Sequence, residues 1–158
     1  MQFTPGQFRE IVGISVETFR HWKRVLPSFN KRKRYVSAFG VGDLLAGKIL
    51  RQLTEGCGIR VGHLAVLSDK LLHLCNTTAW ASLERATLLI DLVKATCRLS
   101  DANDDSLPGG LVLYCNLRPF IEELRAALLQ SHSIPAQPQL HFPPVAVESP
   151  RRAGGGAS

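Results

Sequence analysis

Ser15, Glu17, Thr18, Arg20, His21, Lys23 and Arg24 are spaced to put hydroxyl, carboxylate, imidazole and cationic groups along one side of a helix. Lys31, Arg32, Lys33, Arg34 and Tyr35 follow a few residues later. Clustered lysines and arginines neutralise phosphates and release their counterions, and forked or hydroxyl donors can meet base edges. The chemistry on offer is therefore recognition of a polyanion by charge and hydrogen bonds.

The charge is concentrated where that chemistry lies. Residues 1–60 carry 11 Lys and Arg against 4 Asp and Glu, a net +7, whereas residues 61–158 carry 8 against 9, a net −1. All of the chain's excess positive charge belongs to the first segment. Such asymmetry points to a phosphate-bearing partner, with a solvated basic loop as the alternative that charge alone leaves open.

Other chemistries find little support. The acids form no recognisable catalytic pair, no glycine-rich phosphate loop precedes a helix, and there is no nucleophile elbow, so an enzyme is not expected. Asp101, Asp104 and Asp105 cluster in a loop without calcium-ligand spacing. Cys57, Cys75, Cys97 and Cys115 are widely separated, and Cys57, His63, His73 and Cys75 match no structural zinc pattern. The cysteines read as small buried apolar residues, and no metal or cofactor is implied. No apolar run approaches the roughly 18 residues needed to span a bilayer, and Met1 to Gly6 lacks a secretory pattern. A cytoplasmic, nucleoid-associated protein is the expectation.

Several elements must position these groups. Thr4, Pro5 and Gln7 spell a capping box with proline in the first turn, opening a short helix that ends near Val12-Gly13. Gly13 supplies a turn, Ile14 points back to the core, and Ser15 caps a second helix from Val16 to about Arg24. Its inward face would hold Val16, Phe19 and Val25 with Phe8 and Ile11, with Trp22 between the faces. Leu26-Pro27 should stop the helix, and the segment 28–39 fits a β-hairpin displaying Lys31 to Arg34. Helical spacing continues from Asp43 to Glu55, and a further short helix holds Val61 to Leu72.

Over 78–99 the positions Ala79, Leu83, Ala86, Ile90, Val93 and Cys97 alternate by four and three, which predicts a long helix with an apolar face wide enough for two partners. Residues 100–110 form a loop, Leu111 to Cys115 a short strand, and Pro119 opens a last amphipathic helix through Leu129. The lone strand would join the hairpin sheet or pair with its copy across a two-fold axis. Beyond about Ser131, prolines and Gly154-Gly155-Gly156 describe a disordered tail.

The stretch Val12-Gly13-Ile14-Ser15-Val16-Glu17-Thr18-Phe19-Arg20-His21-Trp22, with Asp43-Leu44-Leu45 and Gly58-Ile59-Arg60-Val61, resembles the MerR-type winged helix-turn-helix DNA-binding domain over roughly Phe3 to Leu72. The resemblance implies that the second helix enters the major groove, the wing grips the backbone, and the protein acts as a homodimer on a near-palindromic operator. On it, Thr18 and Arg20 correspond to positions that approach DNA, and His21 to an aromatic phosphate contact. Lys23 replaces a common acid, while Ser37 and Phe39 replace the usual wing arginine and tyrosine. The family's long coiled-coil helix and sensor region are missing, so effector sensing is not carried over.

The expected fold is mainly α with a small β component: a winged-helix domain over 1–75, a helix–strand–helix dimerisation region over 76–131, and a tail over 132–158. The expected function is that of a homodimeric double-stranded DNA-binding transcriptional regulator, with RNA polymerase or another DNA-bound protein as a further partner. An excisionase-like or small-terminase-like adaptor, and a module meeting an acidic protein, are the alternatives.

Overall fold

A computed structural model describes residues 1–30, 38–100 and 110–132. Among the described residues, the α-helices in chain order are α1 (Pro5–Val12), α2 (Val16–Val25), α3 (Pro27–Asn30), α4 (Val41–Arg51), α5 (Ala65–Thr77), α6 (Trp80–Arg85) and α7 (Arg118–His132). Between α6 and α7 lie the strands β1 (Thr87–Asp91), β2 (Thr96–Ser100) and β3 (Leu113–Asn116). The fold is mainly helical with a small antiparallel sheet of order β2-β1-β3. No helix among the described residues is long and apolar enough to cross a membrane.

Local chemistry accounts for the first two helices. Thr4 donates its backbone N–H to Gln7 Oε1 at 2.9 Å while Gln7 N–H donates to Thr4 Oγ1, so the expected capping box closes. Gly13 ends α1 at φ 79°, a conformation that costs side-chain-bearing residues about 1–2 kcal/mol. Ile14 then turns into the core, and Ser15 accepts from Thr18 N–H at 3.0 Å to begin α2.

Around these lies one hydrophobic cluster running from Phe3 to Leu124. Helix α4 is its centre, with Leu44, Leu45, Ala46, Ile49 and Leu50 all buried, and it packs on α1, α5 and α7. The rings of Phe8, Phe19, Phe29 and Phe39 meet at centroid separations of 4.3–6.4 Å and tie α1, α2 and α3 together. Buried Asp43 anchors the other side of α4: its carboxylate accepts from Gly40 N–H at 2.7 Å and from Asn76 of α5 at 2.9 Å.

The structure departs from the sequence expectations at several places. Pro27 does end α2, but it also occupies the first turn of α3, where its missing N–H costs nothing, and Phe29 enters the core. The hairpin expected over 28–39 therefore does not begin at Ser28; residues 31–37, with Lys31 to Arg34 and Tyr35, lie outside the described residues. Phe39 instead pairs with Phe3 through two backbone hydrogen bonds of 2.8 and 2.9 Å. Helix α4 starts at Val41, and a π-helical turn over Gln52–Gly56 replaces its expected last turn.

The largest correction concerns 78–99. In place of one long helix stand α6 and the β1–β2 hairpin, because the uninterrupted apolar run Leu88-Leu89-Ile90 suits a buried central strand as well as a helix. Leu88 and Ile90 pair across to Leu99, Cys97, Cys115 and Leu113, forming the sheet face turned to the core. The expected short strand is β3, and it pairs with β1 of its own chain. The final helix is α7, opened by Arg118-Pro119 as expected. Of the tail expected over 132–158, His132 ends α7, and 133–158 lie outside the described residues.

Close approach of α1 to α4 depends on Gly47, where a Cβ would lie 2.8 Å from Phe8 Cζ and 2.9 Å from Val12 Cγ2. Gly→Ala in a helix normally stabilises by up to about 1 kcal/mol. Gly47→Ala is expected to have the opposite sign, destabilising by roughly 1–3 kcal/mol through overpacking, as read from the midpoint of urea unfolding.

Candidate nucleic-acid interface

Helix α2 is amphipathic because of the types and spacing of its residues. Phe19 and Trp22 are buried, whereas Glu17, Arg20, His21, Lys23 and Arg24 are exposed and Thr18 is half-buried. Two sequence expectations need correction here. Val16 is 38% exposed, because Ile14 already fills the core position beside the turn, and Trp22 lies fully in the core rather than between faces. Trp22 Nε1 is buried and finds no hydrogen-bond partner among the described residues.

The exposed face is a ridge between two clefts. Arg20, Lys23, Arg24 and Asn30 line one of them, and Asn30 is the last described residue before the basic segment 31–34. Glu17, Thr18, His21 and Trp22, with Thr54, Glu55 and Val61, line the other, and Arg24 borders both. No pattern in the sequence marks Asn30, Thr54, Glu55 or Val61 as part of this surface. Thr54 and Glu55 reach it because the π-helical turn lies beside α2, and the nearest signal in the sequence was the Gly56-Cys57-Gly58 break.

Each polar group on the ridge has a definable environment. The Ser15 and Thr18 hydroxyls lie 3.0 Å apart and share a hydrogen bond at the exposed N-terminus of α2. Lys23 Nζ is 5.5 Å from the centre of the Phe19 ring, a cation–π contact that holds the stem against the helix and leaves the ammonium in solvent. Basic residues in the last turn also face the negative end of the helix dipole.

The orientation of α2 is braced from α4. Arg51 donates through Nη1 to the carbonyl of Val12 at 3.1 Å and through Nε to Glu55 at 2.7 Å. Its guanidinium lies over Gly13, so a methyl group there would collide with it. One arginine thus connects the end of α1, the interhelical turn and the cleft wall beside α2.

No group of three or more His, Cys, Asp or Glu residues able to hold a metal exists among the described residues. Cys75 is buried and Cys97 and Cys115 half-buried, but Cys57 is exposed, contrary to the expectation of four buried thiols, because it follows the π-helical turn at the surface. Burial, reinforced by Cys97 and by the Asp43 carboxylate, pushes the Cys75 thiol up to about 12, and burial pushes Cys115 up to about 11.

In comparisons with protein families, curated proteins and solved structures, nothing matches this chain.

Two outcomes follow from this geometry. Gly13→Ala should cost about 1–2 kcal/mol from the positive φ and more from displacement of Arg51; in an Arg51→Ala background the second part should vanish, giving a non-additive double-mutant cycle by urea unfolding. With a thiol-specific reagent near neutral pH, Cys57 should react at once. Cys75 and Cys115 should stay protonated and react only on unfolding, since a raised thiol pKa depletes the thiolate.

Proposed function

We propose that the chain is a double-stranded DNA-binding transcriptional regulator of winged helix-turn-helix type, with α2 as the groove-reading helix. The observation that carries this reading is the exposed ridge of α2, a capped helix with Glu17, Thr18, Arg20, His21, Lys23 and Arg24 projecting from a rigid aromatic base. In this reading Ser15, Thr18 and Arg20 meet bases, while His21, Lys23, Arg24, Lys31, Arg32, Lys33, Arg34 and Tyr35 meet phosphates. The protein works as a homodimer on an inverted repeat in the nucleoid, and RNA polymerase or a neighbouring DNA-bound protein is its further partner. Strand β3 supports self-association: it is an edge strand, with Tyr114 56% exposed and Leu111, just before it, 81% exposed.

The same exposed edge favours a second reading, an excisionase-like or small-terminase-like adaptor that holds DNA with α2 and another protein with the sheet. The two differ in what β3 binds. Placing a lysine at Tyr114 should abolish a homodimer in light scattering if the edge serves self-association; an adaptor would keep its oligomeric state and lose its protein partner.

Selection of bound sequences from a random duplex pool tests the DNA reading directly. A recovered inverted repeat is the expected outcome, and binding indifferent to sequence would refute base reading. Arg20→Ala should cost about 1–3 kcal/mol and relax preference at one position, whereas Lys23→Ala should weaken all duplexes alike and lower the salt slope by about 1.

A further inference from the structure

Positive charge is also concentrated at the far end of the sheet. Thr87 pairs with Asn116, the last register pair joining β1 and β3. Arg85 stands two residues before Thr87 and Arg118 two residues after Asn116, so antiparallel pairing brings both arginines to the same place. They line a cleft of about 570 Å³ together with Glu84, Ala86, Thr87 and Asn116.

Like charges brought together at the ends of α6 and α7 repel, and the nearby carboxylates do not fully offset them. Both Glu84 oxygens are taken by Arg125, which donates to them at 2.9 and 2.8 Å. Glu122 takes only Nε of Arg118, at 2.9 Å, leaving that guanidinium's outer nitrogens available. Arg85 is exposed, and its side chain makes no ion pair or hydrogen bond among the described residues. Three guanidinium groups therefore face two carboxylates, and the Glu84 carboxyl is held below its usual range by the Arg125 hydrogen bond and by the charges of Arg125, Arg118 and Arg85.

The remaining polar groups of the cleft can donate. Asn116 Oδ1 already accepts from the Arg118 backbone N–H at 3.0 Å, which leaves its amide nitrogen as a donor, and Thr87 offers a hydroxyl. Helix α7 also directs the positive end of its fifteen-residue dipole here. Such a wall suits a ligand that only accepts hydrogen bonds and carries negative charge, and the volume is that of a small-molecule site.

We propose that this cleft binds the phosphate group of a small phosphorylated molecule, with Arg85 and Arg118 as its forked donors and Asn116 and Thr87 completing its coordination. The site is separate from the basic face of α2 and does not depend on the DNA-binding reading.

Isothermal titration of the full chain with inorganic phosphate and with a nucleoside monophosphate tests it. Saturable binding is expected, weakened about ten- to hundredfold in R85Q and in R118Q and unchanged when Arg32 and Arg34 are both replaced by alanine. Because Arg85 is exposed and unpaired, R85Q should fold like the parent, and the charge reversal R85E should abolish binding, so the outcome does not hang on R118Q. Absence of saturable binding by the parent chain would overturn the proposal, as would binding that survives in R85Q but disappears with the Arg32 and Arg34 replacements. A parallel loss of duplex affinity and phosphate affinity in R85Q would assign the cleft to a nucleic-acid backbone and equally refute a small-molecule site.

Discussion

The burial of α4 on every side is the constraint on which the rest of this structure depends. A helix from which Leu44, Leu45, Ala46, Ile49 and Leu50 are all withdrawn from solvent must be covered by neighbours all around. Its small residues decide how near those neighbours come. Gly47 admits Phe8 and Val12 of α1, and at Gly42 a Cβ would meet the Cys75 carbonyl and Asn76 of α5. Polar groups on the same helix set orientation: Asp43 ties its start to α5, Lys48 reaches Glu123 of α7 at 2.8 Å, and Arg51 holds the α1–α2 turn.

This arrangement explains why a helix as short as α2 can present a defined surface. Ten residues are too few for a stable helix in water, so its order comes from its caps and from the buried side chains beneath it. Phe19 and Trp22 lock into the aromatic cluster, and Ser15 and Arg51 fix the direction in which the helix leaves the turn. The exposed cations therefore stand on a backbone that the core has already ordered.

Charge is distributed unevenly at two scales. Over the chain, the excess lies in residues 1–60, which include the cations of α2 and the basic segment 31–34. The remainder is close to neutral, yet folding collects Arg85, Arg118 and Arg125 at one end of the sheet around two glutamates. Near-neutral net charge in a segment thus says little about local potential, because the Coulomb energy depends on separations that only the folded chain sets.

The sequence by itself determined the elements whose signals are local. The Thr4–Gln7 box, Gly13, Ser15, the polar face of α2 and the opening of α7 at Arg118-Pro119 were all legible, since each rests on hydrogen bonds or dihedral preferences spanning a few residues. It did not determine 78–99, where Leu88-Leu89-Ile90 satisfies both a helical and a buried-strand pattern; pairing with Leu99 and Cys115, ten or more residues away, decided in favour of strands. Nor did it place Trp22 in the core, Val16 at the surface, Thr54 and Glu55 beside α2, or Arg85 beside Arg118. Those outcomes depend on which distant residues cover which face, and only tertiary packing, which balances burial against the entropy of closing long loops, makes that choice.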